Sequence, residues 1–421
     1  MKTRQRREIP ASGIRRVELE ADQARVAVRW ADTDTIAIEH DPELELSVEP
    51  ADDQLYIGAV GPAGGGVSRL QVSEQGIVVR LGDRGGISIG PQGIELEGLG
   101  LGRRRKAPVV PGVYPLALTL PRSLPELVAA VRRGALLLEG ARGRVKASLD
   151  DGDLTVQGGE GQFAGATGSG DVLVEGFSGE VDVSSGSGEV ALRGVAGPVT
   201  VKTGSGDVIA REGRGPLAII VGSGDVQVIA CDCPSLSIKA GSGQVSVRES
   251  TVEETTIKAG SGDISAQAWL GLGRHEYASG SGDISVALPR GLPARIEVTT
   301  RGDVESSIPL VVVGQRGPRS AFGRRLVGSV GEGSGQRAEV IVRSNQGDVR
   351  LGWLDRPAPA TARPAPPPPP PPPPESGGGA TPARREATTT ADDQARAILE
   401  ALAQGEITVE EAQFLLDRLL R

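Results

Sequence analysis

Between residues 134 and 304 the chain alternates short runs in which every second residue is apolar with short runs of Gly, Ser and Asp. One set of runs carries Leu154 and Val156, Val172 and Val174, Val190 and Leu192, Val208 and Ala210, Val226 and Val228, Val245 and Val247, Ile264 and Ala266, and Ile284 and Val286. A second set carries Val145 and Ala147, Val181 and Val183, Val199 and Val201, Leu217 and Ile219, Leu236 and Ile238, and Ile296 and Val298. Ser, Thr, Glu, Gln, Lys and Arg occupy most intervening positions, so each run predicts a strand with one dry face and one wet face.

The runs recur with a period. The second Gly of each Gly-Ser-Gly-Asp corner, or of its variant, falls at Gly134, Gly152, Gly170, Gly188, Gly206, Gly224, Gly243, Gly262, Gly282 and Gly302, in steps of 18 rising to 20 residues. A fixed period of this length predicts a repeat architecture. The expected fold is therefore all-β: an elongated β-solenoid with two strands per coil of 18–20 residues. From Phe163, Val181, Val199, Leu217, Leu236, Thr255 and His275 to the next first strand the distance is always nine residues, whereas the opposite connection grows from nine to twelve. The Gly-Asp corner is thus the fixed one, and the other edge takes the insertions. Parallel stacking would align Val172, Val190, Val208 and Val226 at about 4.8 Å, while an antiparallel meander would separate them by about 9.6 Å.

The candidate structural-turn residues are Gly170, Asp171, Gly188, Glu189, Gly206, Asp207, Gly224, Asp225, Gly262, Asp263, Gly282 and Asp283. Glycine supplies positive φ, and the carboxylate caps the turn by accepting backbone N–H bonds. Stacked carboxylates repel by only about 1 kcal/mol per neighbour in water. A cation-binding β-roll is the alternative, but Glu189 and Gln244 occupy the same corner position, which favours a structural turn.

The flanks read differently. Residues 1–60 hold further alternating runs, at Val17–Leu19, Val26–Val28, Ile36–Ile38, Leu44–Leu46 and Leu55–Ile57. A glycine-rich insertion over 58–111 has weaker strand candidates at 76–79, 87–89 and 94–96 and a basic run, Arg103 to Lys106, read as a solvated turn. After Ile308 comes a Gly/Arg-rich excursion, then Val340–Val342 and Asp348, expected to form the last coil with Trp353 helping to close its end. Pro366 to Pro374 predicts an extended spacer, and Glu375–Gly379 a hinge. Beyond it, helical spacing of Ile398, Leu399 and Leu402, a turn at Gln404–Glu406, and the Thr408/Glu411 capping box before Leu415, Leu416 and Leu419 predict a helical hairpin whose apolar stripe needs a partner. The expected divisions are 1–112 (strands and insertion), 113–355 (β-repeat), 356–390 (linker) and 391–421 (hairpin).

Composition narrows the chemistry. With 61 Gly and only three Trp, three Tyr and four Phe in 421 residues, the core must be stacked Val, Ile, Leu and Ala. A net charge of −8 gives no whole-protein attraction to nucleic acid. Cys231 and Cys233 cannot form a disulfide framework or complete a zinc site and read as reduced thiols at one turn. No apolar run approaches a membrane span and Met1–Glu8 lacks a signal-like apolar stretch, so a cytoplasmic location is expected, with the cell envelope or surface as the alternative. His40 and His275 read as structural histidines, and Arg301-Gly302-Asp303 falls on the repeat register. Absent a Walker loop, a metal-ligand cluster or a nucleophile elbow, we expect no enzyme and no cofactor.

The Gly-Ser-Gly-Asp-Val/Ile series, with Ser285-Val286-Ala287-Leu288-Pro289 leading to Ile296–Val304, resembles the bacterial putative-adhesin family of β-strand-repeat proteins, the domain of unknown function numbered 4097, over about residues 113–352. Ile398 to Ala412 is similar to the short helical-hairpin module coupled to such repeats in envelope-stress proteins. The resemblance implies a non-catalytic role at the surface or envelope. The expected function is a non-enzymatic β-repeat scaffold in envelope-stress signalling, with a protein partner or self-association through the hairpin; a cell-surface adhesin is the alternative.

Overall fold

The computed structural model describes residues 4–61, 113–313, 324–331 and 336–354, and the backbone of 70–73, 76–80, 86–90 and 93–97. Its strands stack in parallel and in register. One column runs Leu154, Val172, Val190, Val208, Val226, Val245, Ile264 and Ile284, each paired with the next. A second runs Phe163, Val181, Val199, Leu217, Leu236, Thr255 and His275. The pairing of Val172, Val190, Val208 and Val226 excludes the antiparallel meander. All of these side chains except the buried polar Thr255 and His275 belong to one continuous apolar cluster, and burying each aliphatic side chain contributes about 1.5–3 kcal/mol.

Each coil has a third, short side between its first and second strands. Bridges Ser178 to Ala196, Ala196 to Arg214, and Arg214 to Asp232 connect these short sides from coil to coil. The corner before it is left-handed, with Gly176 at φ 65°, Gly194 at φ 62°, Glu212 at φ 56° and Ala230 at φ 54°. The variable edge therefore has a regular corner of its own, which tolerates residues with side chains.

Both ends depart from sequential stacking. The coil of Ala338–Ser344 and Val349–Leu354 is not the last one. It lies between the coil of Arg274–Ser279 and Ile284–Pro289 and the coil of Ala294–Thr300 and Val304–Ser306. Trp353 accordingly sits beside Leu288 with the Arg290 guanidinium 5.7 Å from its ring, away from the end. The physical reason is edge protection: the outer edge of Ala294–Thr300 is paired antiparallel with Arg324–Val330, which blocks further parallel addition there.

The amino-terminal end repeats the device. The coil of Arg16–Asp22 and Ala24–Ala31 is inserted between the coil of Gln54–Val60 and Tyr114–Pro121 and the strand beginning at Glu126. Thr35–His40 and Glu45–Ala51 pair antiparallel onto the outermost coil. The described strands of 1–60 are thus coils and caps of the same body, and their core side chains belong to the same cluster. They do not form a region separate from 113–355. The three strand candidates of the insertion, joined by Leu70–Ser73, which the alternation did not mark, form a four-stranded antiparallel meander over Leu70–Ser73, Gly76–Arg80, Gly86–Gly90 and Gly93–Glu97.

The chain divides into compact units 1–360 and 361–421. The basic run 103–106, the linker, and the hairpin with Ile398, Leu399, Leu402, Leu415, Leu416 and Leu419 lie outside the described residues.

Candidate functional site

The repeated corner is a structural ladder. Asp153 Oδ1 accepts the Asp171 N–H at 3.1 Å, and Asp171 Oδ1 accepts that of Glu189 at 2.8 Å. The pattern continues from Asp207 to Asp225, Asp225 to Gln244, Asp263 to Asp283, Asp283 to Asp348, and Asp348 to Asp303. The carboxylate thus caps the next coil's corner, where the sequence suggested its own turn. Each rung commits one carboxylate oxygen to a backbone amide, and the aspartate side chain is the length that reaches it. Gly206 shows why the preceding residue is glycine: at φ +145°, a Cβ would lie inside contact distance of the Gly188 carbonyl oxygen. Arg301-Gly302-Asp303 occupies one such corner, with the Asp303 N–H on Asp348.

His275 is buried and satisfied. Nδ1 lies 3.1 Å from Thr255 Oγ1 and Nε2 3.1 Å from the Gly271 carbonyl, so Nε2–H donates to the carbonyl and Nδ1 accepts from the hydroxyl. Burial pushes the imidazole pKa below its ordinary value. His40 Nδ1 lies 2.9 Å from the Asp41 carbonyl. Among the described residues, no group of three or more His, Cys, Asp or Glu is arranged to hold a metal ion.

A groove runs along the outer face beside the Gly-Asp corner. One outward residue from each of five successive coils lines it, in the order Ser148, Ala166, Ser184, Lys202 and Ile220, over a floor of Gly168, Gly186 and Gly204. It encloses about 400 Å³. Small side chains make the depression, and glycines at the corner deepen it. Ile220, 44% exposed, ends it as an apolar step.

Beneath the floor lies a column of hydroxyls. Thr167 donates to the Gly152 carbonyl at 3.3 Å; four coils beyond Thr203 and outside the groove, Ser279 donates to the Gly262 carbonyl at 3.1 Å. Ser185 and Thr203 line the groove, and their hydroxyl oxygens are buried without a hydrogen-bond partner. A buried hydroxyl left unpaired costs about 1–3 kcal/mol.

Sequence reasoning did not find this groove. The readable signal was the row Ser148, Ala166, Ser184, in which outward positions shrink to small residues just before the Gly-Ser-Gly-Asp corner. It also missed a buried ionic cluster near the amino-terminal end, where the fully buried Asp22 carboxylate faces Arg132 Nη1 at 3.6 Å and Arg133 Nη2 at 3.4 Å. Tyr56 donates to Glu20 there at 2.6 Å. These are structural pairs, costly to break on one side.

Comparison with known proteins places part of this stack. Residues 216–313 match the family model Toastrack DUF4097. The Toastrack match takes in the carrying residues Ser285 to Val304 and accords with the β-solenoid. No curated protein matches the chain. Among solved structures, the chain is similar to a "putative cell adhesion protein" from Clostridium sporogenes ATCC 15579, at 11% identity, over 83% of this chain and 100% of that one, with a TM-score of 0.17. It is also similar to a "putative lipid binding protein" from Parabacteroides distasonis ATCC 8503, at 11% identity, over 83% and 96%, with a TM-score of 0.25. Both TM-scores are too low for these likenesses to bear on function. Among the described residues, no helix is long and apolar enough to cross a membrane.

Proposed function

We propose that the protein is a non-enzymatic β-repeat scaffold that binds a protein partner along the outer groove, while residues 391–421 dock or oligomerise it. The observation that carries this reading is the groove itself, which is built by five consecutive coils over a floor of glycines and ends at the exposed Ile220. An extended partner lying across the coils would cover Ile220 and the glycine floor of Gly168, Gly186 and Gly204. The ladder makes the body rigid enough to hold such a surface, because every rung ties one coil's side chain to the next coil's backbone. The likeness of Ile398 to Ala412 to the hairpin of envelope-stress proteins supports a role in that response.

A photo-crosslinking residue in place of Ile220, compared with one in place of Arg193 on the first-strand side, tests the groove in the native host. A discrete adduct from the Ile220 position alone supports it; equal yields from both positions contradict it. Sedimentation of the full chain and of a chain ending at Ala362 tests the tail. If both run as monomers at tens of micromolar, self-association fails. The adhesin alternative, favoured by the Toastrack match within a family resemblance that implies a surface role, places the same groove outside the cell. Protease shaving of intact host cells separates the two locations.

A further inference from the structure

Cys231 and Cys233 flank Asp232 on a short side of the stack, where both thiols point inward and are buried. Cys231 follows the left-handed Ala230 and takes the column position held by Val195 and Gly213 in the two preceding coils. Because Gly213 has no side chain, a cavity of about 20 Å³ remains between Val195 and the two sulfurs. That is room for one molecule the size of water, and hydrogen peroxide is little larger. Gly213 and Gly215, both half-buried, lie among its lining, and Arg211 and Arg214 border it.

The two thiols are not equivalent. The Gly213 N–H donates to Cys231 Sγ at 3.4 Å. The neighbouring Cys233 thiol, with the Gly213 N–H, holds the Cys231 thiol below its ordinary pKa despite burial and the nearby Glu212. The neighbouring Cys231, burial and the adjacent Asp232 push the Cys233 thiol up. The Ile229 and Ala210 carbonyls, at 3.4 and 3.7 Å, accept the Cys231 proton when it is present. A sulfur that receives a backbone N–H is the one that carries thiolate character, and the thiolate is the nucleophile.

We propose that Cys231 and Cys233 form an oxidant-reactive dithiol, in which Cys231 attacks a small hydroperoxide entering the Gly213 cavity and Cys233 resolves the product to a reversible disulfide. In the first step the Cys231 sulfur forms an S–O bond as the O–O bond breaks, and the departing hydroxide leaves as water after taking a proton. Cys231 is oxidised to the sulfenic acid and the peroxide is reduced. In the second step Cys233 sulfur attacks Cys231 sulfur, the S–S bond forms, the S–O bond breaks and a second water leaves. Two thiols and one hydrogen peroxide give one disulfide and two waters. A bridge across a single intervening residue is strained, and strained disulfides are readily reduced, which makes the change reversible.

The test exposes the full chain to hydrogen peroxide and follows peptide 231–233 by mass spectrometry. The wild type loses two hydrogens within this peptide, faster than free glutathione forms its disulfide under the same conditions, and dithiothreitol restores them. In Cys233→Ser, dimedone labels Cys231; in Cys231→Ser, Cys233 stays unlabelled. Gly213→Ala keeps both thiols, and its Cβ would sit 3.5 Å from Cys231 Sγ in ordinary contact while filling the cavity. This variant folds as the wild type by circular dichroism and oxidises several-fold more slowly. Oxidation of the wild type no faster than glutathione, equal labelling of the two single variants, or an unchanged rate in Gly213→Ala would overturn the proposal.

Discussion

Replacing Gly206 and Gly194, each by alanine, separates two roles of glycine that composition alone confuses. Gly206 stands at φ +145°, and an added Cβ would collide with the Gly188 backbone carbonyl. Relief requires the corner to move outward, away from the Gly188 N–H to Ser205 carbonyl bond at 3.2 Å and the Val190 N–H to Asp207 carbonyl bond at 2.8 Å. The disfavoured conformation costs about 1–3 kcal/mol, and each displaced backbone bond about 1 kcal/mol. The expected loss is therefore about 3–5 kcal/mol. Gly194 stands at φ +62°, its nearest neighbour to a Cβ is the Gly176 nitrogen at 4.0 Å, and the next coil places Glu212 at the same corner. Gly194→Ala should cost only about 1 kcal/mol. Urea denaturation of the full chain, followed by far-ultraviolet circular dichroism, measures both. Failure of Gly206→Ala to fold while Gly194→Ala folds agrees with the reasoning. Equal midpoint shifts refute it, because the corner would then need glycine for its φ alone.

Two further outcomes follow from the ladder and the core. Asp207→Asn with Asp225→Asn keeps an Oδ1 acceptor at both rungs, so urea denaturation should show a change below about 1 kcal/mol; a calcium-dependent rise in Tm that the double variant loses would instead indicate a metal ladder. His275 is neutral in the fold because burial holds its pKa below the ordinary 6.5. Its contribution is therefore fully present above that value and lost as pH falls through the window between it and the lower folded value. Tm should fall more steeply over that window in the wild type than in His275→Gln, and equal slopes would contradict the assignment.

The repeat body was legible in the chain because its two determinants are local. Alternation of Val172, Val174 and their equivalents fixes which side chains face inward, and a constant nine-residue step fixes one corner. Both survive into the structure unchanged. What was not legible depends on contacts distant in sequence. Nothing in Val340–Val342 distinguishes a last coil from one inserted between His275 and Ile296, since all three segments carry the same inward pattern; the choice is made by Arg324–Val330 closing the outer edge. The amino-terminal coil is likewise placed by its partners, Leu55 on one side and Leu127 on the other. The Asp rungs were visible as residues but not as interactions, because an acceptor that caps its own turn and one that caps the next coil have the same sequence. The groove arises from the same limit, as its walls come from residues 18 apart that become neighbours only when the coils stack.

Coil order underlies the ladder, the groove and the closed ends, and engineered disulfides test it most directly. In a chain carrying Cys231→Ser and Cys233→Ser, one variant adds Ser285→Cys and Arg350→Cys, which are register partners on adjacent strands. A second adds Ser285→Cys and Glu305→Cys, which are separated by the strand containing Arg350. Neighbouring strands lie about 4.8 Å apart, within the Cα separation of about 7 Å that a disulfide can span, and strands once removed lie beyond it. Mild oxidation followed by mass spectrometry of the monomer should therefore show a quantitative bridge in the first variant and free thiols in the second. A bridge between positions 285 and 305, with none between 285 and 350, would mean that the coils stack in sequence order and that the inserted coil is wrong.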